Sequence, residues 1–303
     1  MRFLAIGECM AELSPSDQDG EFKLGFAGDT FNTTWYLAQI APEADIRYFT
    51  AVGDDALSRD MRRFIQASGI NDAHVQDRPG ETVGLYLIHL DQGERSFSYW
   101  RGQSAARQLA QDPAALQHAM DQADLIYLSG ITLAILDEAS QDTVFSALRK
   151  ARAAGKIVAF DTNLRPRLWT STQAMQDTVM RAAGEADIVL PSFEDEAEWF
   201  GDATALATLD RYARLGISRI IVKNSDQSVL YQDHGYRGEV RVEPATHVVD
   251  TTAAGDSFNA AVFASILTGN DLADGIQHGC HLARHVVRHK GALVPIDAAR
   301  GAP

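Results

Sequence analysis

DLIYLSGITLAILDEASQDTVFSALRKARAAGKIVAFD, residues 124–161, decides the fold class. An apolar run, DLIYLSG, ends at Gly130. A helical stretch follows to Ala154 and stops at Gly155. A second apolar run, KIVAFD, closes the unit. Short continuous apolar runs on either side of a helix read as strands buried on both faces. A crossover long enough for a helix joins parallel neighbours. The expectation is an α/β protein with a mostly parallel central sheet and helices on both of its faces. In such sheets ligands gather beyond the carboxyl ends of the strands.

Working outward toward the C-terminus, the second run continues as AFDTNLRPRLW (159–169), which puts Asp161, Asn163 and Arg165 at a strand end. Pro166 prevents the strand from continuing. A plainer reading of Asp161 is a helix cap. Ala186–Leu190 reads as a further strand, followed by the acidic helix start PSFEDEAEWF. Arg219–Lys223 is the next strand and runs into NSDQSVLY. Beyond it lies VVDTTAAGDSFNAAVFA (248–264), where small residues precede a helix. The first N–H groups of a helix lack internal partners, and the helix dipole adds partial positive charge there, so this turn suits an anion. Asp256 inside it would repel a phosphate unless it had a task, such as taking a proton from an attacking hydroxyl. The alternative is an ordinary acidic residue at a helix start. The last helix, expected over Leu272–His289, carries His278, His281, His285 and His289 on one face. No acidic or Cys partner completes a zinc spacing with them.

Outward in the other direction, FLAIGEC (3–9) reads as the first buried strand. Glu12–Gly28 reads as a small hairpin leaving the main body. GFAGDTFNTTWYLAQI (25–40) places Gly28 and Asp29 before a helix over Thr30–Ile40, with Asn32 in its first turn. Arg47–Val52 is a strand, Gly53-Asp54-Asp55 a turn, and Leu57–Ser68 a helix stopped at Gly69. Val83–Leu90 and Ser96–Trp100 are strands around a hairpin turn at Asp91-Gln92-Gly93. The second hairpin ends in FSYWRGQSAA, where Tyr99 and Arg101 are two apart and share a face of the strand. An Arg beside a Tyr can fork onto a carboxylate. A surface Arg on an edge strand is the plainer alternative.

Composition narrows the classes. At 303 residues with 46% hydrophobic side chains, the chain can bury a large core as a single domain with small insertions. The net charge of −14 disfavours nucleic acid as a partner. No apolar run has the length of about 18 residues that a membrane span needs. Met1-Arg2 leads straight into FLAIG, a run too short for the signal peptide of a secreted protein, so none is expected, and the cysteines Cys9 and Cys280 have no metal spacing. A cytoplasmic location is expected. No G-x-G-x-x-G follows the first strand, which argues against hydride transfer on a dinucleotide.

Several of these stretches together resemble the ribokinase-like (PfkB) carbohydrate kinases, over nearly the whole chain. DTTAAGD (250–256) is similar to the DTxGAGD signature of that family, with Ala253 in place of a Gly. The resemblance implies that Ala253, Ala254 and Gly255 form the anion hole and that Asp256 is the general base. GDTFN (28–32) is similar to the GGDTxN element of the 2-keto-3-deoxygluconate kinase branch, with Ala27 as the substituted Gly. It implies sugar contacts from Gly28, Asp29 and Asn32. Tyr99-x-Arg101 and FDTNLRPRLW resemble the same branch, in which they imply that Tyr99, Arg101, Arg165 and also Tyr86 line the site of an acidic sugar. Asn163 and Arg165 are implied near the phosphates, with Lys223 and the loop positions Ser225 and Ser228, where relatives carry glycines, wrapping ATP. Asp195, or Glu196 after a one-residue shift, stands where relatives have a carboxylate that serves Mg²⁺. Many relatives also place a monovalent cation beside Asp250–Thr252, and one of the four histidines would border the adenine. The strand pairs at about 12–28 and 83–102 would form a β lid over the sugar and a contact between two copies.

The function expected from this resemblance is ATP-dependent phosphorylation of 2-keto-3-deoxygluconate on its C6 hydroxyl. A kinase of a neutral sugar such as fructose is the alternative, though it has no evident need for Tyr99-x-Arg101. A non-catalytic sugar-binding relative is a further alternative, against which Asp256 argues.

Overall fold

A computed structural model describes residues 1–16, 18, 20–91 and 94–296. The hairpin turn expected at Asp91-Gln92-Gly93 falls partly outside them, at Gln92 and Gly93. The strands are β1 Arg2–Ile6, β2 Met10–Pro15, β3 Phe22–Ala27, β4 Asp45–Val52, β5 Val75–Asp77, β6 Leu85–Asp91, β7 Glu94–Trp100, β8 Leu125–Ser129, β9 Ile157–Asp161, β10 Ile188–Val189, β11 Arg219–Val222, β12 Val229–Asp233 and β13 Tyr236–Val240. The helices are α1 Asp29–Ile40, α2 Ala56–Ala67, α3 Pro113–Asp121, α4 Gly130–Ala134, α5 Glu138–Ala153, α6 Thr172–Gly184, α7 Phe193–Phe200, α8 Ala205–Ala213, α9 Ala254–Thr268 and α10 Leu272–Val286.

The main sheet has nine strands in the order β13-β12-β11-β10-β9-β8-β1-β4-β5. From β11 to β5 every pairing is parallel, and β12 and β13 add an antiparallel edge. Strand alternation sorts side chains into two cores. Phe3 and Ala5 of β1, with Leu125 and Tyr127 of β8, face α1, α9 and α10. Leu4 and Ile6, with Ile126 and Leu128, face the layer of α3 to α8. Each fully buried Leu or Phe contributes about 1.5–3 kcal/mol, so the two layers share the load. Helix starts follow the sequence. The carboxylates of Asp55, Asp137 and Asp271 accept the N–H groups of Ser58, Ser140 and Ala273.

The first strand ends at Ile6, short of the expected Cys9. At Gly7 the chain packs so closely on Thr30 that a Cβ would lie 2.1 Å from its hydroxyl. It then turns out of the sheet through Glu8 and Cys9 into β2. The last helix likewise ends at Val286, leaving His289 beyond it.

The expected strand pairs form one separate four-stranded sheet, β3-β2-β6-β7. Register fixes its two faces. Gly25, Glu12, Tyr86 and Tyr99 lie in one row across it. The opposite face carries Leu24, Leu13 and Leu87 in a row, with Phe22 and Trp100 beside them. Phe22, Leu24 and Trp100 are about half exposed there, at 49%, 52% and 59%. This small sheet leaves the main one at the carboxyl end of β1. Beside β1 the strand order reverses, with β4 on one side and β8 on the other. A cleft for ligands is expected at that reversal.

Candidate active site

The site begins at the N-terminus of α9. Ala253 precedes the helix with φ 60° and ψ 15°, the left-handed conformation that the glycine of related sequences would adopt without a Cβ clash. The turn keeps its shape with alanine in place. The N–H of Ala254 donates to the Thr251 carbonyl at 3.2 Å. Of the N–H groups expected to meet an anion, this one is therefore already committed. Those of Ala253 and Gly255 carry no such bond among the described residues. At Gly255 a Cβ would stand 3.6 Å from the Lys223 ammonium, an ordinary van der Waals contact that places Lys223 beside this turn.

Asp256 sits in the first turn of α9, and its carboxylate accepts the Asn32 side-chain N–H at 2.8 Å. Burial, and next the Asp29 carboxylate, push its pKa up to about 8, while the Asn32 hydrogen bond and Lys223 pull the other way. Asn32 is engaged at both ends, since its amide oxygen accepts the Gly28 N–H at 3.2 Å. Asn32, expected at a sugar hydroxyl, here fixes Asp256 to the start of α1. Gly28 itself is extended, with φ 175°. Close approach explains the glycine, because a Cβ would stand 2.2 Å from the Glu8 carbonyl oxygen.

Asp29 opens α1 and accepts the Asn163 side-chain N–H at 2.7 Å. Asn163, with φ 31°, turns the chain just after β9 and accordingly points at Asp29. Asp161, at the end of β9, is buried and does not cap a helix. Its carboxylate accepts Lys223 Nζ at 2.9 Å and Asn259 Nδ2 at 2.6 Å. This holds the ammonium at the mouth of the α9 turn. Arg165 is half exposed, with its guanidinium 3.6 Å from the Asp195 carboxylate. Burial raises the Asp195 pKa, and Arg165 opposes that shift. Glu196, the one-residue alternative, is already engaged by protein partners. It is fully buried and ion-paired with Arg211 at 2.6 Å, with Tyr212 donating to it at 3.1 Å. Among the described residues no group of three or more His, Cys, Asp or Glu side chains could hold a metal ion by itself.

In the loop after β11, Ser225 takes φ 46° where a glycine was expected. Its hydroxyl donates to Glu194 at 2.7 Å. The left-handed turn survives the loss of glycine here too, whereas Ser228 is not among the positive-φ residues. His285 on α10 and His289 just beyond it have tilted rings 4.7 Å apart and bond to backbone carbonyls, those of Pro295 and His285. At Asp250 the carboxylate accepts the Thr252 N–H at 3.1 Å and the Gly291 N–H at 2.7 Å.

The small sheet brings its own residues. Tyr86 donates to Glu12, and burial pushes its phenol pKa up. Tyr99 lies beside Tyr86 at a ring separation of 5.8 Å and is half exposed. Arg101 lies on the same face, since a Cβ built at Gly84 would stand 3.3 Å from Arg101 Cβ. Its guanidinium pairs with Glu8, which also accepts the Ser104 hydroxyl. Glu8, Glu12 and Asn259 escaped the reading of the sequence as site residues. Glu8 did leave a signal, because a charged residue among FLAIGEC must find a partner when buried.

Comparison with known proteins gives the family and the fold. The model of the family described as pfkB family carbohydrate kinase matches residues 2–299. The chain is 39% identical over 296 residues to the 2-dehydro-3-deoxygluconokinase of Haemophilus influenzae, covering 95% of this chain and 94% of that protein. Among solved structures it resembles the 2-dehydro-3-deoxygluconokinase of Thermotoga maritima, with TM-score 0.83, 22% identity and coverage of 98% of this chain and 96% of that chain. A protein of Escherichia coli solved with ATP and Mg²⁺ is similar at TM-score 0.83 and 22% identity, covering 96% and 94% of the two chains. At those identities the two structural likenesses speak for the fold alone.

Proposed function

The chain belongs to the pfkB family of carbohydrate kinases, and from that premise we propose that it phosphorylates 2-keto-3-deoxygluconate on the C6 hydroxyl with ATP. The observation that carries the reading is Asp256: a carboxylate with pKa about 8, fixed by Asn32, in the first turn of the helix whose N-terminus meets the phosphate. A base titrating near the working pH suits proton transfer from a sugar hydroxyl. In this reading Asp256 takes that proton as the hydroxyl oxygen bonds to the γ-phosphorus, and the bond from phosphorus to the β-phosphate oxygen breaks to leave ADP. The N–H groups of Ala253 and Gly255 and the Lys223 ammonium receive the charge on the transferred group.

ATP itself would rest along the Asn163, Arg165, Ser225 and Ser228 side of the cleft. The donor set fits a Mg²⁺ carried largely by phosphates and water, which needs one or two carboxylates rather than a cage. Asp195, which lies near Lys223 and Asp161 at the cleft, is the residue for it. Bound there, the ion would neutralise charge on the phosphate oxygens. A monovalent cation beside Asp250–Thr252 would belong to the same reading, since the Asp250 carboxylate ties this segment to Gly291. The exposed face that carries Phe22, Leu24 and Trp100 supports a second copy of the chain as the partner of the small sheet.

The acid end of the sugar is assigned to Arg101 with Tyr99 and Tyr86, and to Arg165. With a net charge of −14 the mean field repels an anion, so local donors must supply recognition. The test is a panel of sugars with ATP and Mg²⁺, followed by Arg101→Ala. Wild type should prefer the keto-deoxy acid to fructose. A hydrogen bond to a charged group contributes about 1.5–3 kcal/mol, so the variant should raise KM for the acid roughly ten- to a hundredfold. Lys at this position should recover only part, since it cannot fork onto both oxygens. Wild type that prefers the neutral sugar would overturn the proposal in favour of a fructokinase.

A further inference from the structure

We infer that Glu8 is a positioning residue for recognition of the sugar acid, acting through Arg101; the inference deepens the proposed function and rests on it. Glu8 lies where the chain leaves the main sheet between β1 and β2, and it is 2% exposed. Arg101 lies where the chain returns from β7, with its side chain 11% exposed. The Glu8 carboxylate accepts one guanidinium nitrogen, Nη2, and the hydroxyl of Ser104, which is itself 3% exposed. A carboxylate and a guanidinium buried together add little stability over apolar packing of the same volume. A tie between the two connectors therefore needs no charge, and the charges ask for another reason.

The reason is the part of Arg101 that Glu8 does not use. Its Nε is buried and has no hydrogen-bond partner among the described residues. Such a donor is normally matched, in the free protein or in the complex. Arg101 shares its face with Tyr86 and Tyr99, in the position assigned to the carboxylate of the sugar. A free Arg would have to give up its rotamer freedom on binding. Glu8 and Ser104 remove that freedom beforehand, which is preorganisation of the recognising group. Glu8 touches no substrate in this scheme; it keeps the remaining donors aimed at it.

The experiment compares KM for the sugar acid, KM for ATP, kcat and Tm in wild type, Glu8→Gln, Glu8→Asp and Ser104→Ala. Gln keeps the shape and an acceptor oxygen but loses the charge. KM for the acid should rise about tenfold in Glu8→Gln, with kcat and KM for ATP within about twofold of wild type. Asp, one methylene shorter, should not restore it. Ser104→Ala should move the same constant in the same direction by about threefold, less than Glu8→Gln because the ion pair between Glu8 and Arg101 remains. If Glu8→Gln fails to fold, Ser104→Ala decides alone on that readout. An unchanged KM for the acid overturns the inference. So does a KM for ATP that rises in step with it while Tm falls, because Glu8 would then be clamping the small sheet. A wild type that does not phosphorylate the acid removes the proposed function and this inference together, an outcome read before any variant is made.

Discussion

Replacing Asp256 by Asn should cut transfer sharply and stabilise the protein, and both effects follow from one local fact. The Asp256 carboxyl has its pKa pushed up to about 8, first by burial and then by the neighbouring Asp29 carboxylate. At pH 7 only about a tenth of it is ionised in the free enzyme, so kcat/KM should climb with pH and level off above about 8. Cations brought with the nucleotide favour the carboxylate, so the ascending limb of kcat should lie at lower pH than that of kcat/KM. Asn keeps an acceptor for the Asn32 N–H but cannot take a proton, and the loss should be about 10²–10⁴-fold. The folded acid holds its proton to higher pH than the unfolded one. Wild type therefore loses stability as pH rises from about 4 to about 8 and no further beyond it. Asn has no such dependence. Its advantage over wild type should be absent near pH 4, grow to about 2–3 kcal/mol near pH 8 after allowance for partial solvation, and appear as a Tm roughly 5 °C higher. The assays are steady-state rates and thermal melts of both proteins from pH 4 to 9. Wild-type turnover in the variant, a rate profile breaking near pH 4, or melting curves that differ equally at every pH would each refute the reasoning.

Two further outcomes are expected. Ala253→Gly relieves a left-handed alanine, worth about 1–2 kcal/mol, against about 0.5–1 kcal/mol for the extra freedom of glycine when unfolded; the melting point should rise by about 1–3 °C with KM for ATP unchanged, and a fall would mean that the Ala253 methyl is held by packing. Removing divalent ions with excess chelator should abolish ADP release and Mg²⁺ should restore it, because the phosphate charge has to be neutralised; turnover that persists without any divalent ion would count against this chemistry.

The sequence by itself determined the layers and the family. Runs such as Leu125–Ser129 and Ile157–Asp161 are apolar throughout because both faces of the sheet are covered, and that information is local. The helix start at Ala253–Asp256 was legible for the same reason, since the change from small residues to a helical pattern is local. Tertiary structure decided which partner each polar side chain takes. Asn32 and Asp256 are 224 positions apart, and Asn163 and Asp29 are 134 apart. No spacing in the sequence reports such pairs. The same holds for Glu8 and Arg101, 93 positions apart, which meet only because the small sheet leaves and rejoins the body at adjacent points. Asp161 was legible as a strand-end residue, but its hold on Lys223 and Asn259 arises from β9, β11 and α9 packing together. Conformation at Ala253 and Ser225 was also decided by the fold. Neither residue favours positive φ, yet the surrounding chain fixes the turns, and the strain is absorbed where the phosphates are expected.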